Sequence, residues 1–311
     1  MTTSVCIHNN EIKVLCGSLS RSCLAVEEWH SVSLPDDAVI NGVVISDAPV
    51  RAAISELRGK LGNAFDKVNL VLNSNSTLVK RANVPLLPER KLIKLVENEF
   101  SDMEDSRDEL MYDYMVLSPH NSQGGGSILC TAVEKAFVAS YISLFSELGV
   151  KIAAIDIALA SLVRLASTSR IAGKTCIMSV LDADAVNSAL FVDGAFRFNG
   201  HARLFQERGT VESSLEISQH ISSIIQFNAS EKTGREITHI YLGGLYKNEQ
   251  RITIQDDDLT SSSLADYIKS ALDVEVLEFP PCDEIRLSNK TKRRAFPLGE
   301  YVYCAGNLLR R

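Results

Sequence analysis

Residues 175–198, TCIMSVLDADAVNSALFVDGAFRF, decide how the second half of this chain folds. Their pattern predicts a strand at 174–181, a tight turn around Asp184 and a second strand at 189–198. Phosphate-binding hairpins offer backbone N–H groups to the anion, and a glycine in the turn lets the backbone approach it closely. Here a carboxylate stands in the turn. Two like charges about 4 Å apart repel by roughly 1 kcal/mol in water and by about 4 kcal/mol at an effective dielectric of 20. The sequence therefore predicts the shape of a nucleotide-binding hairpin without its chemistry.

Strands and helices alternate on both sides of this hairpin. Each half of the chain begins with a strand hairpin and continues into strands separated by helical patterns. This repetition is typical of an α/β protein made of two related lobes. We expect a first lobe at 1–37 and 129–168, an inserted module at 38–128, and a second lobe at 169–311 whose last helix returns to the first lobe.

Composition limits the possible functions. The chain has 311 residues, enough for two packed domains or one large bilobal domain, with 45% hydrophobic and 23% charged residues. A net charge of −7 argues against a nucleic-acid-binding surface. The seven cysteines form no CxxC pair, which argues against a zinc site or a disulfide framework and fits a reducing cytoplasm. No apolar stretch is long enough to predict a membrane span.

Several polar stretches have a simpler structural explanation than a functional one. The glycine run at 123–126 lacks the lysine and the helix start of a phosphate loop, so a flexible hairpin is predicted. The acidic stretch 102–109 is predicted to be a solvated loop rather than a metal site. The basic cluster 290–294 is predicted to be a solvated loop rather than a contact for an acidic tail or anionic lipid. None of the six histidines has a serine or aspartate partner at a recognisable spacing, so no catalytic residue is predicted.

The order and spacing of several motifs resemble the actin-like superfamily and, within it, the PilM family of type IV pilus assembly proteins. The similar stretches are 78–85 (LVKRANVP), 113–117 (DYMVL), the strand, helix and strand at 128–157, the glycine pair Gly243-Gly244, and the helix at 298–309. Together they cover nearly the whole chain. The resemblance implies a bilobal actin-like (ASKHA) fold with an inserted small α/β subdomain of the 1C/SHS2 type at 38–128, shared with FtsA. The short spacing from Gly200 to Ser214 implies a reduced or missing 2B subdomain.

The resemblance also implies a nucleotide site between the lobes, from which this chain departs. The turn at 8–10 has neither the aspartate nor the glycine of the family, Asp184 replaces a glycine, and the bulky pair Leu245-Tyr246 follows the glycine pair. We therefore expect no metal and no cofactor, with ATP and Mg²⁺ as the alternative. The expected vestigial nucleotide positions are Asp182, Asp184, Ser188, Gly243 and Gly244.

The resulting expectation is a non-catalytic cytoplasmic scaffold of a type IV pilus-like or related secretion assembly machine. In the family, a groove between the first lobe and the inserted module captures the cytoplasmic N-terminal peptide of PilN, a single-pass inner-membrane protein. A PilN-like partner is therefore expected, with an assembly ATPase as a further candidate, and contact with the membrane only through a partner. The residues that bind the partner are not predicted. The alternatives are an active actin-like ATPase, a GspL-type secretion platform and a cell-division scaffold.

Overall fold

The computed structural model describes residues 1–310 except 86–87, 102–108, 119–124, 233, 251, 255–259, 281 and 289–294. The strands are β1 (Thr2–Ile7), β2 (Glu11–Ser20), β3 (Cys23–Ser33), β4 (Val39–Ile40), β5 (Val43–Val44), β6 (Lys67–Leu72), β7 (Leu78–Pro85), β8 (Leu110–Ser118), β9 (Gly125–Glu134), β10 (Lys151–Ile157), β11 (Cys176–Asp182), β12 (Ala185–Val192), β13 (Ala195–Arg203), β14 (His239–Gly243), β15 (Ile252–Ile254), β16 (Thr260–Ser262), β17 (Glu275–Glu278) and β18 (Ile285–Leu287). The helices are α1 (Asp47–Leu61), α2 (Glu89–Glu99), α3 (Lys135–Glu147), α4 (Ala158–Ala166), α5 (Val211–Ser230), α6 (Leu264–Leu272) and α7 (Val302–Leu308).

Three of the stretches considered above fall on undescribed parts of the chain. The basic cluster 290–294, residues 102–108 of the acidic stretch and residues 123–124 of the glycine run lie outside the described residues. None of the described helices combines the length and the hydropathy that a membrane span requires.

The first lobe is built on a six-stranded sheet in the order β10-β6-β1-β2-β3-β18. The β1–β2 and β2–β3 pairs are antiparallel, and β6 lies parallel between β1 and β10. Successive residues of β1 point to opposite faces, so that Val5 and Ile7 pack with α1 and α3 while Cys6 packs with α4 and α7. Because helices cover both faces, the strands are apolar along most of their length.

The inserted unit is smaller than the expected 38–128. Its three-stranded sheet has the order β7-β9-β8, and α2 packs against one face of it through Val96 and Phe100. Strand β6 pairs with β1 and β10 instead, and α1 shares the hydrophobic core of the first lobe. The expected limits therefore need correction: 38–72 belongs to the first lobe, and the insert extends to the end of β9. Strand periodicity could not show this, because β6 pairs with strands distant in sequence.

The second lobe is built on a five-stranded sheet in the order β13-β12-β11-β14-β17. Its outer face packs on α5 and α6, and its inner face joins α4, α7 and the first sheet in one central core. The turn around Asp184 is confirmed between β11 and β12. The prediction of a second strand at 189–198 is wrong. Strand β12 starts directly after Asp184 and ends at a turn through Asp193 (φ 50°) and Gly194 (φ 77°). Asp-Gly is a strong hairpin signal, and the predicted strand at 189–198 ran through it.

Candidate functional site

The turns of the two lobe hairpins meet at the interface between the lobes. The Nδ1 atom of His8, in the β1–β2 turn, lies 3.1 Å from the Oδ1 atom of Asp182, and each side chain is only 6% exposed. Asn73, which directly follows β6, donates from Nδ2 to the other carboxylate oxygen of Asp182 at 2.6 Å. Both oxygens of this predicted site residue therefore contact first-lobe side chains.

The environment of Asp182 favours its charged form. Burial has the largest single effect and raises the pKa of this carboxyl, whereas the charge of His8 and the hydrogen bond to it lower the pKa. Lys13 and Arg208 lower it as well, and the net result is a pKa below the ordinary aspartate value. Asp182 is thus a buried carboxylate that is compensated from both lobes.

Asp184 also contacts the first lobe, but near the surface. Asn9 donates from Nδ2 to its Oδ1 atom at 3.2 Å, and Arg203 donates from Nε to its Oδ2 atom at 2.9 Å. The backbone carbonyl of Asp184 accepts the N–H of Leu204 at 2.6 Å. The carboxylate that replaces a glycine therefore links the two hairpin turns.

Side chains fill the space beside the segment that follows Gly243 and Gly244. The Tyr246 hydroxyl oxygen accepts a hydrogen bond from Asn10 at 2.6 Å, and the Arg208 guanidinium carbon lies 3.8 Å from the centroid of the Tyr246 ring. Arg208 forms a buried two-point ion pair with Glu249 and donates to the carbonyl of Gly244 at 2.8 Å. This arrangement fixes the Tyr246 ring against the β1–β2 turn.

Close packing of the chain accounts for both predicted glycines. Gly244 has φ +70°, and a Cβ atom there would lie 2.0 Å from the carbonyl oxygen of Leu181. A Cβ atom on Gly243 would lie 2.9 Å from the carbonyl oxygen of Gly299. Each position needs glycine for contact with the protein itself.

Ser188 belongs to a hydroxyl network on β12. Its Oγ atom lies 2.7 Å from that of Ser179 and 3.1 Å from the Nε2 atom of His220. Burial, followed by the positive charge of His201, lowers the pKa of His220 to about 4. Ser188 therefore has protein partners on both sides and does not join the contacts around Asp182.

Sequence reasoning missed Asn73, Arg203, Arg208 and Glu249. Asn73 had a usable signal, because a polar residue at the carboxyl end of a parallel strand lies where α/β proteins place their sites. The other three belong to no recognisable motif, and each acts through a contact that is distant in sequence: Arg203 ends β13, Arg208 lies in the loop after it, and Glu249 lies in a short 3-10 helix.

An ATP–Mg²⁺ complex placed between the hairpins would meet side chains that already contact one another. A triphosphate between the hairpins would face the carboxylates of Asp182 and Asp184, and it would displace the contacts made by His8, Asn9 and Asn10. The N–H of His8 is already bonded to the carbonyl of Glu11 at 2.8 Å. Within the described ranges, no group of three or more His, Cys, Asp or Glu residues is arranged to hold a metal ion.

A second candidate site is a groove of about 420 Å³ between the inserted sheet and the first lobe. One wall is formed by residues 111–115 of β8 and by Leu129, Thr131 and Val133 of β9, and the other by the end of β10 and by α4. The groove is mainly apolar, and its polar lining includes Asp113, Thr131, Arg310 and the pair in which Arg164 donates to Asp156 at 2.6 Å. We call this the insert groove.

The two lobes and the insert define a bilobal protein of the actin-like ATPase fold. A solved PilM–PilN type IV pilus biogenesis complex has a chain that is 17% identical and superimposes with a TM-score of 0.78, over 99% of this chain and 98% of that chain. A Bacteroides thetaiotaomicron protein with an actin-like ATPase fold and unknown function is 11% identical, with a TM-score of 0.53 over 100% and 96%. The cytoplasmic domain of EpsL, an inner-membrane component of the type II secretion system of Vibrio cholerae, is 10% identical, with a TM-score of 0.51 over 100% and 95%. At these identities the structures show the fold alone, and the expected actin-like fold is confirmed.

The sequence identifies the family within this fold. The family model for the type IV pilus assembly protein PilM matches residues 4–192, and the chain belongs to this family. A comparison with curated protein sequences gave no significant match.

Proposed function

We propose that this chain is a non-catalytic cytoplasmic scaffold of a type IV pilus assembly machine and binds the cytoplasmic N-terminal peptide of a PilN-like inner-membrane protein. Membership of the PilM family supports the place in pilus assembly. The solved complex with the same fold contains PilM together with PilN, which supports a partner of that kind. The protein would then reach the inner face of the membrane through this partner.

The insert groove is the observation that carries the proposal. Strand β8 is an edge of the inserted sheet, and β10 is an edge of the six-stranded sheet. Residues from both edges, including Tyr112 and Ile155, line the groove. Edge strands present unpaired backbone N–H and C=O groups, so an extended peptide in the groove gains main-chain hydrogen bonds and places alternate side chains against its walls.

The lining of the groove favours an apolar peptide. Leu129, Val133, Val138 and Ile155 contribute apolar surface to it. The carboxylate of Asp156 already accepts from Arg164 and, at 3.1 Å, from Asn307, so this part of the polar lining is largely satisfied within the protein. A peptide with apolar residues at alternate positions gains the most from this surface.

The contacts between the hairpin turns support the non-catalytic part of the proposal. The lobes are linked by protein side chains at the place where an actin-like ATPase holds its nucleotide, as in the pairs of His8 with Asp182 and of Asn10 with Tyr246. A scaffold with fixed lobes can hold a peptide without a bound nucleotide.

The test is a fluorescence titration with the labelled N-terminal peptide of the single-pass membrane protein encoded beside this chain. We expect saturable binding, and we expect Thr131→Trp, which fills the insert groove, to weaken it by about tenfold or more. The control is Lys94→Ala on the exposed side of α2, which should bind as the unmodified protein does. Absence of binding by the unmodified protein, or equal binding by the Thr131 variant, would contradict the proposal.

A further inference from the structure

A second channel lies at the opposite edge of the inserted sheet, on the same face as the insert groove but along β7 instead of β8, between the insert and the second lobe. It begins at a cavity of about 120 Å³ whose lining includes Thr77 and Val79 on the insert side and Asn199 and His201 on β13, with α4 as its floor. Asn75 and His201 close this end with a side-chain contact of 3.3 Å between Nδ2 and Nε2. We call the surface formed by Thr77, Val79, Arg81, Arg197, Asn199 and His201 the polar channel.

Two strands border the polar channel in opposite directions. Along β7 the chain runs from the Asn75–His201 contact towards Arg81. Along β13 it runs from Arg197 towards the same contact. In the part of the chain that the structure describes, β7 pairs only with β9 and β13 pairs only with β12. The channel is thus flanked by two strand edges with free backbone groups.

The two arginines of the channel carry positive charge that no described carboxylate pairs with. Arg81 and Arg197 are both exposed, and across the described ranges neither guanidinium forms an ion pair. Burial and then the nearby charge of Arg197 lower the pKa of Arg81, and among the residues that the structure describes no carboxylate offsets these effects. A carboxylate held between the two guanidinium groups would relieve their repulsion and form charge-assisted hydrogen bonds.

The remaining lining of the channel is neutral and polar. Asn199 offers a side-chain donor and acceptor, whereas both ring nitrogens of His201 already contact the asparagines Asn75 and Asn187. The Oγ1 atom of Thr77 is buried and has no hydrogen-bond partner among the described residues. A buried hydroxyl without a partner costs stability, so a ligand group that bonds to Thr77 is favoured.

We propose that the polar channel is a docking surface for an extended acidic segment of a partner protein. Carboxylates of the segment contact Arg81 and Arg197, and its backbone pairs with the free edge of β7 or β13. A free anion could use the two arginines but not the strand edges, so the edges favour a peptide. This surface lies along β7, at the opposite edge of the inserted sheet from the insert groove along β8, and it is polar and positively charged where the groove is mainly apolar. The proposal therefore goes beyond the PilN-like partner.

The test is an anisotropy titration of the full chain with a short fluorescein-labelled peptide of alternating glutamate and valine. We expect saturable binding that weakens about tenfold or more in the double variant Arg81→Gln, Arg197→Gln. The matched control is Arg21→Gln, Arg170→Gln, which removes two exposed arginines elsewhere and should bind as the unmodified protein does. Because all four side chains are exposed, the variants should keep the unmodified melting temperature. No binding by the unmodified protein, or equal weakening in both double variants, would overturn the proposal.

Two further experiments distinguish strand docking from simple anion binding and from binding in the insert groove. A probe that is N-methylated at alternate peptide bonds should bind more weakly, because it cannot complete the backbone hydrogen bonds of a strand. Equal binding of the methylated probe, or full displacement of the probe by millimolar inorganic phosphate, would show a simple anion site and overturn strand docking. A saturating concentration of a PilN-like peptide should leave binding of the acidic probe unchanged, because the two peptides are proposed to bind different surfaces. The polar-channel proposal can therefore fail without the proposed binding of PilN failing, and the reverse.

Discussion

Asp182 and Asp184 lie two positions apart and have different environments. Asp182 is 6% exposed and accepts from His8 and Asn73, whereas the Asp184 side chain is 44% exposed and pairs with Arg203. Removing one partner of a buried polar contact leaves the others unsatisfied, while an exposed ion pair contributes little. The two carboxylates therefore differ in their effect on stability although both bridge the lobes.

We expect Asp182→Ala to lower the free energy of unfolding by about 2–4 kcal/mol, because it leaves His8 and Asn73 without their buried acceptor. Asp184→Ala is the matched control in the same turn and should cost less than about 1 kcal/mol. Urea denaturation of both variants measures the difference. Equal losses would mean that the buried contacts of Asp182 do not hold the lobes together.

The sequence indicated these positions but not their partners. The turn and its unusual carboxylate are local features, so Asp184 could be placed from the sequence alone. The contacts of Asp182 with His8 and Asn73 join two lobes whose relative position no local pattern encodes. The expectation of vestigial nucleotide positions remains a prediction for all five residues. For Ser188, Gly243 and Gly244 the structure adds protein contacts that account for the residue type.

Among the secondary structure elements, those formed by local periodicity were predictable. The strand hairpin at the start of the chain and the helix α3, within the predicted strand, helix and strand at 128–157, lie where the sequence pattern placed them. The assignment of β6 to the first sheet was missed because it depends on parallel pairing with β1 and β10. The order of strands in a sheet is a property of the whole chain, and periodicity does not report it.

The burial of His220, where α5 packs on β12, predicts a dependence of the free energy of unfolding on pH. His220 of α5 has a pKa of about 4 in the folded chain, whereas an unfolded histidine has a pKa near 6.5. As the pH falls below about 6.5, the unfolded chain takes up a proton that the folded chain does not, so stability is lost until the pH reaches about 4. At pH 5.5 this amounts to about 1–1.5 kcal/mol.

We therefore expect His220→Gln to lose less stability between pH 7.5 and pH 5.5 than the unmodified protein, by about 1 kcal/mol. Ser188→Ala removes the hydroxyl that His220 contacts but keeps the imidazole, so the pH dependence should persist in this control. Denaturant unfolding at the two pH values measures both. An unchanged pH dependence in the His220 variant would contradict the buried, neutral state of this side chain.

For the molecule as a whole, the contacts between the hairpin turns predict its response to nucleotide. A ligand present at about 100 times its Kd stabilises a protein by about 2.7 kcal/mol, which raises the melting temperature by several degrees. We expect about 1 mM ATP with Mg²⁺ to shift the melting temperature by less than about 1 °C, because the nucleotide would have to displace side chains that already bind one another. Thermal melts with ATP–Mg²⁺ and with Mg²⁺ alone measure this. A shift of several degrees that requires ATP would restore the alternative of an active nucleotide site.

Helix α7 has a consequence for how the protein is made. It lies late in the chain, yet Val302, Cys304 and Ala305 are buried in the core that also holds Cys6 and Leu15 from the first hairpin. During synthesis on the ribosome, the N-terminal strands therefore emerge long before the segment that covers them. Until residues 302–308 leave the exit tunnel, the part of that face which α7 covers, beside α4, stays exposed in the nascent chain.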